Sequence, residues 1–142
     1  MRLLLMMCIR TSGSMPSGCL TTVLIGVLEV LVMRVGWYFA MAAVTVLALV
    51  PIEHLQMPVF NWWDKAQHAL AFAVLTVWGL WAWPLAGRWV LAGMLVFGAA
   101  IELAQWACGW RFAEWADWAA DAVGVGCAGF VALTSRASAK VM

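Results

Sequence analysis

Charged side chains are what this sequence has least of. Lysine, arginine, aspartate and glutamate make up 11% of its 142 residues, against about 25% in a soluble domain. With 66% hydrophobic residues and a mean hydropathy of +0.95, the scarcity excludes a soluble fold and implies an integral membrane protein. The chain is too short for two domains. Its net charge of +1 and pI near 7.7 give no argument for nucleic acid. The four cysteines, Cys8, Cys19, Cys108 and Cys127, show no CxxC spacing and no histidine-rich company, so zinc, a disulfide and thiol chemistry are not expected. No GxSxG motif occurs and no cysteine sits beside a histidine, so an enzyme of this sequence would activate water or a substrate hydroxyl. Tyrosine occurs once, but tryptophan eleven times. Tryptophan favours the headgroup level and so marks membrane boundaries.

Four apolar runs follow one another. Residues 1–33 are an extension of uncertain role. Leu3–Ile9 is apolar but short and matches a secretory core only marginally, and Thr21–Met33, with Glu29 inside, suits a short interfacial helix. Met33-Arg34 directly before an apolar helix is a common membrane-protein opening, and translation is expected to begin there. The spacing predicts spanning helices over Gly36–Val50, Asp64–Trp83, Trp89–Ala107 and Ala116–Thr134, within a domain of residues 34–134. Pro51, Pro84 and Gly109 punctuate them. Residues 135–142 form a polar tail. The fold class is an all-α four-helix transmembrane bundle.

With four spans, Arg34, Arg88, Arg136 and Lys140 fall on one side, which the positive-inside rule makes cytoplasmic. Both termini are then cytoplasmic, in a multi-pass protein of the bacterial inner membrane. Lys65 and Arg111 lie on the outer side against the rule, where acids outnumber them. Trp62, Trp63, Trp106, Trp110, Trp115 and Trp118 fall at the outer boundary, and Trp37, Trp81, Trp83 and Trp89 at the inner one.

The remaining polar residues gather at the outer end. Asp64 and His68 are four apart and share a helix face, with Lys65 beside it. Glu102 and Gln105 end the third helix on one face. Arg111 lies in the next loop. Asp117 and Asp121 open the fourth helix, and their face continues as Gly124 and Ala128, small residues that let helices approach closely in lipid. Each residue also has a plainer reading. Asp64-Lys65 suits a boundary pair, His68 a satisfied core histidine, and Asp117 a helix-start charge. Glu102 is the hardest to dismiss, because an acid inside an apolar run is a functional candidate by default. The excess of carboxylates calls for protons, open water or a cation. A cation held by His68, Glu102, Asp117 and Asp121 ranks below the other answers, and no metal or cofactor is assigned.

The series Asp64-Lys65-x-x-His68-x-x-x-Phe72, then Glu102-x-x-Gln105, then Arg111 with Asp117-x-x-Ala120-Asp121-x-x-Gly124, resembles the VanZ-like family of small bacterial membrane proteins. The resemblance covers residues 34–134. It departs at Asp121, where the family usually has asparagine, so a contact needing an amide donor there is in question. The resemblance implies the cell envelope and a link to resistance against the glycopeptide teicoplanin. It implies no reaction.

Three functions are therefore expected to compete. One is binding of an outer-leaflet lipid, a lipid-linked cell-wall precursor or a glycopeptide antibiotic. Another is an enzyme acting on a lipid phosphate, with His68 as general base, Glu102 orienting it and Arg111 holding the phosphate. The third is a structural module whose polar cluster fixes helix register. A transporter is disfavoured, because polar groups at one end only offer no path through. The partners expected are the bilayer and such a lipid.

Overall fold

Proline and glycine set the ends of the helices. The computed structural model describes residues 17–50, 61–109 and 114–138. These form four α-helices: α1 (Ser17–Leu49), α2 (Asn61–Ala82), α3 (Gly87–Cys108) and α4 (Trp115–Ser138). In the sequence Pro51 comes two residues after Leu49, the last residue of α1, and has no N–H to continue a helix. Pro84 does the same for α2, and a tight turn follows in which the Ala86 N–H bonds the Trp83 carbonyl at 3.0 Å. Ala86 then accepts the first bonds of α3 from Trp89 and Val90. Gly109 ends α3 in the left-handed region, at φ 75°, with its N–H on the Gln105 carbonyl, a position that costs any other residue its β-carbon sterics.

The second, third and fourth helices begin and end within a few residues of the expected bounds. The first does not. A start expected at Gly36 lies at Ser17, because Thr21–Met33 is apolar apart from Glu29 and holds no proline to stop a helix. The boundary between the chain's two compact units falls inside α1, between Gly36 and Trp37. The unit from Trp37 onward carries all the structure that follows.

In that unit α2 and α4 form the principal pair, and α3 packs on both. The pairing is close because Gly124 lies against the backbone of α2. A β-carbon there would run into the carbonyl oxygen of Ala69 and stand 3.1 Å from the Ala73 nitrogen. Ala128, one turn on, is also buried. Below the polar end the core is Phe72, Leu75, Met94, Ile101 and Val125, with Trp37, Met41 and Val44 of α1 packed against it. The Trp37 indole N–H donates to the Leu75 carbonyl at 2.8 Å. Its ring stands edge-on to Trp83, as does that of Tyr38.

The helices are apolar outside as well as inside. Leu70, Val96, Leu103, Val123 and Phe130 are each at least 60% exposed. The side chains most completely buried include Gln105, Thr76 and Asp121. Three helical stretches, Leu20–Leu49, Gly87–Cys108 and Trp115–Ser135, are long and apolar enough to cross a membrane.

Candidate functional site

The face of each of α2, α3 and α4 that is apolar in the core turns polar at the same end. On α2, Phe72 gives way one turn earlier to His68 and then Lys65. On α3, Met94 and Gly98 give way one turn later to Glu102 and Gln105. On α4, Ala128 and Val125 are preceded by Asp121 and Asp117. Glu102, Gln105, Asp117 and Asp121 are all buried, and Asp121 is only 1% exposed.

The cluster has an outer and an inner part. In the outer part the Lys65 ammonium donates to Glu114 Oε2 and to Asp117 Oδ1, both at 2.8 Å. Lys65 and Glu114 are well exposed, whereas Asp117 is buried. Lys65 thus ties the first turn of α2 to the first turn of α4. Asp117 is also well placed against the positive end of the α4 dipole.

In the inner part His68 Nδ1 lies 3.1 Å from Asp121 Oδ1. Glu102 Oε2 accepts the backbone N–H of Glu114 at 3.1 Å, just before α4 begins. The carboxylate therefore fixes the segment that enters α4. The other carboxylate oxygens, Glu102 Oε1 and Asp121 Oδ2, are buried and find no hydrogen-bond partner among the described residues. His68, Glu102 and Asp121 each bring one donor atom within 4.8 Å of the others.

Gln105 plays a different part. Its amide Nε2 donates to the Ala48 carbonyl at 3.0 Å, one of the last carbonyls of α1, which the helix itself leaves unsatisfied. It ties α3 to the end of α1 and is spoken for.

Among the described residues the carboxylate within hydrogen-bond distance of His68 is that of Asp121, whereas the sequence reading put Glu102 beside it. Asp117, counted among possible cation donors, is engaged by Lys65 instead. Asp64 belongs to α2, but its side chain lies outside the described residues, as does Arg111. Gly98 is a site residue that sequence reasoning missed. Asp121 Oδ2 lies 2.9 Å from where its β-carbon would be, and Phe72 lies 3.3 Å from the same point. The only sequence signal was its place one turn below Glu102 on the same face.

Among the described residues the cluster holds four carboxylates, Glu102, Glu114, Asp117 and Asp121, against Lys65 and a histidine. The outer part is compensated, since one ammonium serves two acids at the edge of solvent. The inner part holds two buried carboxylates with one imidazole, and their mutual repulsion requires a proton or a further positive charge. Cys108 and Cys127 are free thiols, and neither is in this group. Comparison with protein-family models, curated proteins and solved structures finds no match.

Proposed function

We propose that this chain is a VanZ-like multi-pass protein of the bacterial cytoplasmic membrane that binds the polar head of an outer-leaflet amphiphile at the cluster between α2, α3 and α4. A lipid-linked cell-wall precursor or a lipid-bearing glycopeptide has that form. The observation that carries the reading is the inversion of polarity: lipid-like exteriors on the helices, and Glu102, Asp117 and Asp121 buried between them at one end with His68 half-buried beside them. Ionisable groups in a membrane interior are costly and usually mark a functional pathway or site. Several of them at one depth on three helices suit a head group that enters from the surface while its tail stays in lipid. On this reading the cluster faces out, and Arg34, Arg88, Arg136 and Lys140 face the cytoplasm.

A second reading, an enzyme, is favoured by one contact. The Asp121 carboxylate beside His68 Nδ1 is the arrangement that orients an imidazole for general-base work. His68 would then activate water or a hydroxyl toward a lipid-borne phosphate, with Asp121 in the orienting role.

The test is expression of the full chain in a teicoplanin-susceptible bacterium, beside His68→Gln and Asp121→Asn variants whose folding is checked by thermal unfolding. Wild type is expected to change susceptibility and to retain a radiolabelled lipid-linked precursor in nanodiscs, and folded variants to lose both. Folded variants that keep both would overturn the site. Release of labelled phosphate during the same incubation would replace binding with catalysis.

A further inference from the structure

We propose that His68, Glu102 and Asp121 are the protein ligands of a divalent transition-metal ion, of the zinc class, bound where α2, α3 and α4 meet. The assignment stands on this triad alone and does not depend on the head-group reading.

The donor set is one imidazole and two carboxylates, each from a different helix. Nitrogen and oxygen donors of this kind suit zinc and its first-row neighbours. A site built for calcium needs six to eight oxygens, and magnesium keeps several waters (about six positions in all). Phe72 and Gly98 beside Asp121 provide neither.

The distances fit a site that closes slightly on its ion. Two donors bound at about 2.0–2.2 Å to one ion stand roughly 3–3.5 Å apart. His68 Nδ1 and Asp121 Oδ1 already stand at 3.1 Å. All three donor atoms lie within 4.8 Å of one another, so Glu102 has to approach by about an ångström, well within a rotamer adjustment of a long side chain.

Burial separates this group from an ordinary acidic patch. An exposed cluster is satisfied by water, whereas Asp121 is 1% and Glu102 9% exposed. Each leaves one oxygen without a partner among the described residues. A buried carboxylate that leaves an oxygen without a donor is costly, and a dication held by one atom of each residue of the triad compensates the charge of both carboxylates. Lys65 cannot serve them, because Glu114 and Asp117 hold it. Two carboxylates, a neutral imidazole and a dication sum to zero charge, which removes the repulsion within the inner part. Three protein ligands leave at least one position on the ion for water or an incoming oxygen.

An asparagine in place of Asp121 would offer a neutral amide and remove a ligand charge. The carboxylate makes this chain's site a stronger cation binder than an otherwise similar chain with the amide.

The full chain, purified in detergent and stripped with a chelator, is titrated with Zn2+ while thermal unfolding is followed, with Mg2+ as the comparison ion. One zinc per chain and a rise in unfolding temperature are expected, with little response to Mg2+. Glu102→Gln and Asp121→Asn keep the side-chain shape, and each is expected to bind zinc at least about tenfold more weakly and to lose the rise. No rise in wild type, or a rise that persists in both variants, would overturn the site. Should a variant not fold, X-ray absorption at the zinc edge of wild type decides. One imidazole nitrogen with oxygen neighbours supports the triad, and a thiolate from Cys108 or Cys127 refutes it. No lipid or antibiotic enters these measurements, so failure of the head-group reading and failure of the metal site are separable.

Discussion

Asp121 on α4 occupies the space that a side chain on Gly98 of α3 would need: its Oδ2 lies 2.9 Å and its Cβ 3.4 Å from the β-carbon position. The buried carboxylate is therefore admitted by an absent methyl group on the neighbouring helix. That contact sets the depth at which α4 seats against α3, and it makes Gly98 part of the site.

Gly98→Ala puts two terms in opposition. Alanine gains about 1 kcal/mol of helix propensity over glycine. The new methyl meets Asp121 and, at 3.3 Å, the ring of Phe72, and overpacking of a buried site costs about 1–3 kcal/mol. Asp121 is short and held beside His68, so it has little room to yield. Net destabilisation of about 1–2 kcal/mol is expected by thermal unfolding in detergent. Gly93→Ala, on the same helix with nothing within 4 Å of the added carbon, is expected to be neutral or stabilising. Equal effects of the two would show that Asp121 and Gly98 do not meet.

Gly124→Ala is expected to be worse than Gly98→Ala, because the obstacle is backbone. The methyl would run into the Ala69 carbonyl oxygen and lie 2.9 Å from the Ala69 carbonyl carbon. No rotamer change relieves that. The whole of α2 must move away, and His68, next to Ala69, moves with it. A loss of about 3 kcal/mol or more is expected, together with loss of whatever His68 does. Gly126→Ala on the same helix meets nothing within 4 Å and serves as the control. A folded Gly124→Ala protein with unchanged unfolding would contradict the close packing of α2 and α4.

Glu102 has two functions that substitutions can separate. Its Oε2 accepts the N–H of Glu114, and its charge is buried. Glutamine keeps an acceptor oxygen and removes the charge, so Glu102→Gln is expected to unfold at or above the wild-type temperature in metal-free buffer. Alanine removes both and leaves the N–H ahead of α4 without its partner. Glu102→Ala is expected to cost about 1–3 kcal/mol relative to Glu102→Gln. The reverse order in thermal unfolding would mean that the carboxylate charge itself holds the structure.

The parts of this arrangement that were legible in sequence are those set along one helix. Pro84 and Gly109 act on their own neighbours, so the ends of α2 and α3 could be read directly. The face shared by Asp117, Asp121, Gly124 and Ala128 follows from helical period alone. Which face meets which is a tertiary fact. His68 could be placed a turn from Asp64, but its partnership with Asp121, 53 residues away, depends on the approach of α4 to α2. Gly98 looked like any glycine in an apolar helix, since its importance lies in a side chain on another element. The start of α1 was missed for the opposite reason. The apolar run Thr21–Met33 reads equally well as a separate short helix or as the first turns of a longer one, and periodicity does not choose between them.

Membrane orientation can be tested where the two ends of the bundle differ most. The positive-inside rule, applied to the order of the helices in sequence, puts Arg34, Arg88, Arg136 and Lys140 on the side opposite the acid-rich cluster. A cysteine placed on each side of α2 samples both. Leu85, in the turn after Pro84, is fully exposed, and residue 56 lies in the connector before α2. With Cys8, Cys19, Cys108 and Cys127 replaced, Gln56→Cys is expected to react with a membrane-impermeant maleimide in intact cells. Leu85→Cys is expected to react only after the membrane is opened. The physical basis is the positive-inside rule, which acts through charges in short loops close to helix ends. Arg88 is in the first turn of α3, at the edge of such a loop, whereas Lys65 is neutralised by Glu114 and Asp117 and exerts little retention of its own. Lys65→Ala is therefore expected to leave the labelling pattern unchanged, while Arg88→Glu weakens it. The reverse pattern in wild type would turn the cluster toward the cytoplasm and remove outer-leaflet amphiphiles from the ligands it can meet.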